Sequence, residues 1–390
     1  MEDVDFFIKL LSIKSLCTTK EGYEDAAYLI KEKLESIGLS PVIYDGKEMA
    51  EDELPRPNVV AKLDLGQEKT IVFNAHYDVV PAGEGWPYDP FTPIRVGDEV
   101  HARGASDDKS GIAAAIWAVE DLGERVKRNV LLTFTCDEEI GGAAGLGYLM
   151  NKVGLMADEA LILDGGYDAI YVGASGIIFG NIMVKGLQGH AGYPHKAKNP
   201  IYPLAKAIVR LEEFGRLREN KLSKFRSPSG SPIPYVWGRF NVTMLKAGEK
   251  SNIIPGEAKA TFDLRLLPEE DKESALAELR EFISSISNEL GWKIELGRIE
   301  GGGNYYTEPE HPFVQGFTNA ASKVIGRRLE FAAELGGNDG RYTSGKGIPT
   351  LVFGPTGIDS RFHGIDEFVR LSDIKMVKNI LLRYLREEAL

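Results

Sequence analysis

Four short apolar runs recur along the chain in one form: Ile71-Val72-Phe73, Val130-Leu131-Leu132-Thr133-Phe134, Ala160-Leu161-Ile162-Leu163 and Thr350-Leu351-Val352-Phe353. Their hydrophobicity is continuous rather than alternating, as in strands covered on both faces of a parallel sheet. Helical periodicity lies between them: Glu24 to Ile37 is amphipathic, Ser110 to Leu122 is apolar over its whole buried side, and Ser372 to Leu385 repeats the pattern near the end. This order predicts a three-layer α/β domain with a mostly parallel central sheet. Between about Gly176 and Glu300 the texture changes. Alternating stretches (Ile177 to Val184, Trp237 to Met244, Ala258 to Leu266) share this segment with two helical ones (Pro203 to Phe214, Glu269 to Leu290), which predicts strands with one face covered by helices. The expected division is a catalytic domain over 1–175 and 301–390, interrupted by a smaller α+β unit over 176–300.

Composition narrows the function classes. The 390 residues, 43% hydrophobic and 27% charged, suit a globular protein of two domains, and no apolar run approaches the ~20 residues of a membrane span. A net charge of −12 repels a phosphate backbone, so neither nucleic acid nor a membrane is an expected partner. The acidic start Met1-Glu2-Asp3-Val4-Asp5 is unlike a secretory signal and predicts a cytoplasmic location. Only Cys17 and Cys136 occur, too few for a thiolate metal module, so any metal must be held by His and carboxylates.

Ligands of open α/β sheets bind beyond the carboxyl ends of the strands, and here those ends are polar. His76-Tyr77-Asp78 follows the first run, Asp137-Glu138-Glu139 the second, Asp164-Gly165-Gly166 the third and His363-Gly364-Ile365-Asp366-Glu367 the last, while Ser106-Asp107-Asp108-Lys109 precedes the apolar helix. Imidazole and carboxylate are ligands that Zn²⁺ accepts, and two His with several acids exceed what one ion needs. A bridging carboxylate between two ions uses the excess. Read as an extended segment, Glu138-Glu139 points its side chains apart, one toward metal and one free to act as general base.

Together with Arg103-Gly104-Ala105, these motifs resemble the acetylornithine deacetylase, succinyl-diaminopimelate desuccinylase and aminoacylase superfamily of metallopeptidases, in the family's order and over almost the whole chain. The resemblance implies Asp107 as the bridge between two divalent ions (Zn²⁺, with Co²⁺ or Mn²⁺ as alternatives), with His76 and Asp164 completing one and Glu139 and His363 the other. It further implies Glu138 as the base, Asp78 as the acid orienting the His76 ring, and a cis peptide after Asp107. The inserted unit resembles a lid and dimerisation domain, in which His190 polarises the scissile carbonyl while Asn252 and Arg265 receive the substrate carboxylate. Gly337 and Asn338 lie in what resembles a glycine-rich substrate loop. A homodimer acting on a small peptide or N-acyl amino acid is expected. Two departures stand out: the desuccinylases carry Thr-Ser where this loop has Asn338 alone, and His101-Ala102 replaces the usual tyrosine-glycine. The first favours carboxypeptidase, dipeptidase or deacylase activity over desuccinylase or acetylornithine deacetylase proper.

Other functions fit less well. Gly141-Gly142-Ala143-Ala144-Gly145-Leu146-Gly147 fails the G-x-G-x-x-G spacing of a dinucleotide site, and neither Ser106 nor Ser175 stands in G-x-S-x-G. The Gly-Asn-His-type motif of a dinuclear phosphoesterase is absent, since Asp339 follows Gly337-Asn338. A metal-dead peptide-binding relative would have lost a ligand or the base, and none is missing. His101, His195, His311 and Cys136 are expected to be structural.

Overall fold

The computed structural model of the chain describes residues 3–123 and 126–386, so Met1 and Glu2 of the acidic start lie outside the described residues. A large sheet of eleven strands forms the body. At its centre Asn129–Thr135, Thr70–His76, Glu159–Ile162 and Thr350–Val352 lie side by side and parallel, and antiparallel pairs appear towards the edges. The continuous apolar runs become strands buried at every position: Asn129–Thr135 and Glu159–Ile162 expose nothing. One face packs against helices Val4–Ser12, Tyr23–Ser36, Lys109–Glu120, Pro312–Ile325 and Leu371–Arg386, through side chains such as Phe73, Ile116, Phe317 and Leu381. The other face is covered by Leu146, Leu149 and Met150 from a short helical stretch.

A separate four-stranded antiparallel sheet is built from Arg239–Ala247, Glu257–Leu266, Gly176–Lys185 and Ile294–Gly302. Its strands alternate between buried and partly exposed positions, and helices Ile201–Glu219 and Lys272–Leu290 cover the buried side. The core between them is its own, centred on Phe214, Phe240, Phe262 and Leu279. One stretch inside 176–300 departs from the expected arrangement. Leu222–Arg226 and Tyr235–Trp237 form a hairpin that pairs with Phe331–Glu334, adding two strands to an end of the large sheet rather than to the small one. Arg239 fastens the same seam, donating to the Leu335 carbonyl at 3.0 Å and the Ser175 hydroxyl at 2.8 Å. Among the described residues no helix is long and apolar enough to cross a membrane.

Candidate active site

The parallel centre of the large sheet aligns three strand ends at one edge. His76 is the last residue of its strand, Asp164 follows Glu159–Ile162 by two residues, and Asn129–Thr135 runs into the turn that holds Glu138 and Glu139. Because the strands run the same way, these side chains emerge on one side. Asp107 arrives from the loop before helix Lys109–Glu120, across a cis Asp107–Asp108 peptide, and His363 from the loop beyond Thr350–Val352.

Asp107 stands between two imidazoles. Its Oδ1 is 3.0 Å from His76 Nε2 and its Oδ2 is 3.0 Å from His363 Nε2. Glu139 Oε1 lies 3.1 Å from His363 Nε2, and Asp164 Oδ2 lies 3.8 Å from His76 Nε2. Two groups with donor atoms within 4.8 Å of one another result: His76, Asp108 and Asp164, and Asp107, Glu139 and His363. Asp108 is a residue that the sequence reading passed over. It is fully buried, one oxygen accepts from the His76 main-chain N–H at 3.3 Å, and the other has no partner among the described residues.

The electrostatics show what this gathering lacks. Burial pushes Asp164 up to about 7, with Asp107 adding to it, and pushes Glu139 upward in the same way. Glu138 is raised well above the carboxylate range by burial, against the pull of His76 and with further repulsion from Asp164 and Asp339. Glu334 is held at about 8 by burial and by Asp164, Asp168 and Asp107. Hydrogen bonds to Asp107 and Glu139 lift His363 to about 10; burial works against the His76 imidazolium, but Asp107 and Asp78 outweigh it and raise that ring too. Asp107 alone is lowered, since burial is overcome by its bonds to His363 and His76. Acids thus crowd one another beyond what two imidazolium groups offset. Divalent cations would relieve that crowding, and the nitrogen and oxygen donors, with a buried Asp108 oxygen unmatched, fit them chemically.

The surroundings fix these groups from behind. The Glu138-Glu139 segment is a 3-10 turn, Glu138–Ile140, rather than the extended stretch expected, because Asp137 enters it at φ 62°. That aspartate is gripped by the Tyr23 hydroxyl at 2.7 Å and by Arg56 and Lys20. Neighbouring side chains diverge in such a turn as well, so Glu139 reaches His363 while the Glu138 carboxylate has no hydrogen-bond donor among the described residues. Asp78 faces the His76 ring with two of its groups. The closer partner of His76 Nδ1 is the Asp78 main-chain carbonyl at 3.0 Å, with the carboxylate at 3.4 Å, and that carboxylate accepts from the Glu138 and Glu139 main-chain N–H groups at 3.2 Å each. With Nδ1 donating to a carbonyl, Nε2 is the nitrogen turned towards Asp107, and a cation taking the place of its proton would find the tautomer a metal ligand needs.

In the glycine-rich loop, Asn338 is buried; its Oδ1 accepts from the Tyr305 hydroxyl at 2.8 Å and Gly340 N–H at 2.9 Å, and its Nδ2 is unmatched. Gly337 lies against Ile177 of the small sheet. Asp339 is likewise buried with one oxygen unpaired, and that oxygen occupies the space a side chain at Gly142 would need. The remaining candidates share no hydrogen bond or ion pair with the cluster among the described residues. His190 is exposed in a two-residue strand paired with Ile253–Ile254, and Asn252 beside it accepts at its carbonyl from Ala191 N–H at 2.9 Å. His190 Nδ1 accepts from Gly192 N–H at 3.0 Å, which leaves its Nε2 as an outward donor. Arg265 is held by Asp263 at 2.8 and 3.0 Å, directly opposite Arg239 in the sheet. His101 is paired with Asp366 and stacked on Phe368, His311 caps helix Pro312–Ile325, and Cys136 is buried beside Asn58; His195 is exposed against Tyr193.

The chain matches known proteins over most of its length. The family described as Peptidase family M20/M25/M40 matches residues 72–387. A succinyl-diaminopimelate desuccinylase from Nautilia profundicola is 31% identical over 363 residues, covering 91% of this chain and 91% of its own. Among solved structures, the M20 family metallo-carboxypeptidase Sso-CP2 from Sulfolobus solfataricus matches with a TM-score of 0.76 over 99% of both chains at 23% identity. The Bacillus subtilis YXEP protein, a dinuclear metal binding peptidase from the M20 family, matches with a TM-score of 0.66 over 98% of both chains at 17% identity.

Proposed function

The chain belongs to peptidase family M20/M25/M40 and is a hydrolase of amide or peptide bonds, and on that premise we propose that it uses two divalent ions, Zn²⁺ foremost, to cleave such a bond next to a free carboxylate. The observation that carries this reading is the posture of Asp107, one oxygen 3.0 Å from each histidine Nε2. A carboxylate so held is shaped to bridge. On this reading His76 and Asp164 complete one ion, with Asp108 behind them, and Glu139 and His363 complete the other. Bound there, the ions would polarise a carbonyl oxygen and acidify a water molecule. Glu138, whose carboxylate has no hydrogen-bond donor among the described residues, would be the residue that takes a proton from water and returns it to the leaving nitrogen. His190 donates from Nε2 to the carbonyl oxygen as charge develops on it. Asn252 and Arg265 receive the substrate carboxylate, and Gly337 with the unmatched Nδ2 of Asn338 holds the substrate from the other side.

His190 and Asn252 are exposed and share no hydrogen bond with the cluster among the described residues, and on this reading closure, or a second copy of the chain, brings them in. We take 176–300, apart from the hairpin on the large sheet, as the moving lid. A homodimer is supported by apolar side chains left exposed on that unit: Met244 and Leu245 on its edge strand, Tyr202 and Val209 on its helix, each more than 60% exposed. We place the enzyme in the cytoplasm, with a small peptide or N-acyl amino acid as substrate and no nucleic-acid or membrane partner. A second reading, succinyl-diaminopimelate desuccinylase, is favoured by the desuccinylase relative and opposed by Asn338 standing where that activity carries Thr-Ser. The test is a hydrolysis panel of dipeptides, N-acetyl amino acids and N-succinyl-diaminopimelate with Zn²⁺-loaded protein. Cleavage of the first two classes is expected; exclusive cleavage of the succinyl compound would move the assignment to the second reading, and no metal-dependent cleavage would end both.

A further inference from the structure

Behind Asp107 lies a buried carboxylate that none of these steps uses. Glu367 is fully buried just ahead of strand Phe368–Arg370. Its Oε1 accepts from the N–H of Ser106 at 2.9 Å, the Ser106 hydroxyl at 3.2 Å and the N–H of Asp107 at 3.2 Å. Its Oε2 accepts from the N–H of Gly104 at 3.1 Å and from Arg103 Nη1 at 2.5 Å. Such convergence saturates the lone pairs a carboxylate offers. Arg103, buried as well, turns Nη2 to the main-chain carbonyls of Gly364 at 2.9 Å and of His363 and Ala82 at 3.3 Å. His363 sits at φ 60°, a conformation that a residue other than glycine keeps only when its surroundings hold it. An unbroken series of contacts therefore joins the Asp107 backbone, through Glu367 and Arg103, to the backbone of His363.

We propose that Glu367, with Arg103 as its arm, is a positioning residue that sets the spacing between the two halves of the metal site. It fixes the Asp107 loop so that one oxygen faces each histidine, and it locks the His363 loop to that same point. The proposal rests on reading Asp107 as the bridge. Stability is a poor explanation for the pair, because a buried ion pair roughly breaks even against its desolvation cost, whereas acceptance of consecutive N–H groups of one ligand-bearing loop orients that loop. A glutamine at 367 would keep the volume but turn an NH₂ group towards N–H donors, and a lysine at 103 would keep the charge but lose the fork that spans both loops.

The experiment titrates metal-free protein with Zn²⁺ by calorimetry, and with Co²⁺ by its visible absorption, for wild type, E367Q, E367D and R103K, with circular dichroism to establish folding. Wild type is expected to take two equivalents. E367Q should weaken both by 10–100-fold, because Asp107 serves both, and alter the Co²⁺ band; E367D should fall between E367Q and wild type. R103K should weaken one equivalent, the one His363 serves, and at saturating metal should lower kcat with KM within about 3-fold of wild type. Folded variants that bind both equivalents with wild-type affinity and spectrum would overturn the proposal, as would loss of folding in all three, which would make the pair a folding element. A wild type that never takes a second equivalent would instead remove the bridging reading, and the proposal with it.

Discussion

On the large sheet, Asn129–Thr135 is buried at every position, and the acids beyond it are held by Asp78, Arg56 and Tyr23. On the small sheet, Glu257–Leu266 alternates between buried and partly exposed positions; its Arg265 is occupied by Asp263, and His190 and Asn252 project into solvent from a two-residue ribbon. Histidine serves both regions, but its surroundings differ. A parallel sheet with both faces covered must end in an edge where several strands stop together, and groups delivered there share one rigid frame. An antiparallel sheet with one open face disperses its polar groups over a surface, where they meet a target only after something moves. The first region is preorganised for charge; on the proposed reading, the second contributes groups that join it when substrate is in place.

Substitutions should separate the two regions. The largest effect is expected from Asp107→Asn, which should release both metal equivalents and activity together, while His363→Ala should release one; elemental analysis after desalting reads both, and two equivalents retained in either would detach that residue from the metal. Next comes Glu138→Gln, expected to slow turnover by about 10²–10⁴ with metal content near normal. Unchanged turnover there would remove Glu138 from the chemistry. On the small sheet, His190→Ala should lower kcat by about 10²–10³ while both equivalents stay bound. If it depleted metal instead, the division between assembled and unassembled groups would be wrong.

The smallest effect is one of pH on the chelated protein. Asp164 at about 7, Glu334 at about 8 and His363 at about 10 all bind protons more tightly folded than unfolded. The acids therefore withdraw stability as pH rises from about 4 through 7–8, and the histidine's contribution, full below about 6.5, is lost through about 10. Thermal melts with chelator should fall across that range, and the gap to melts with Zn²⁺ should widen. A flat chelated profile would mean the acids are compensated in some other way.

Much of the first region was legible in the sequence because strand ends in a parallel sheet announce themselves: an apolar run stops, and a His or an acid follows. His76, Glu138, Glu139 and Asp164 all obey that pattern. Asp108 escaped notice because, beside Asp107, it reads as ordinary loop charge; its burial is a tertiary fact. Glu367 ends the same run that begins with His363, and only the long-range return of the Ser106 and Asp107 N–H groups reveals its purpose. The bend at Glu138 was misjudged since it depends on Asp137, which Tyr23 and Arg56 hold from distant parts of the chain. In the second region periodicity found the strands and helices of the small layer. It could not find that Leu222–Arg226 pairs with Phe331–Glu334, because a hairpin at the end of a sheet is specified by its neighbour rather than by its own pattern.

Thr350–Val352 lies between Glu159–Ile162 and Ile170–Ala174, although nearly half of the chain, residues 175–349, is made after those two and before it. As the polypeptide leaves the ribosome, the middle of the large sheet therefore stays split, its apolar rims unpaired, until one of the last strands inserts. The contiguous small layer has no such wait. In order of synthesis, the strands of the small layer are complete by Gly302, while His363 and the strand that closes the large sheet come among the last residues made.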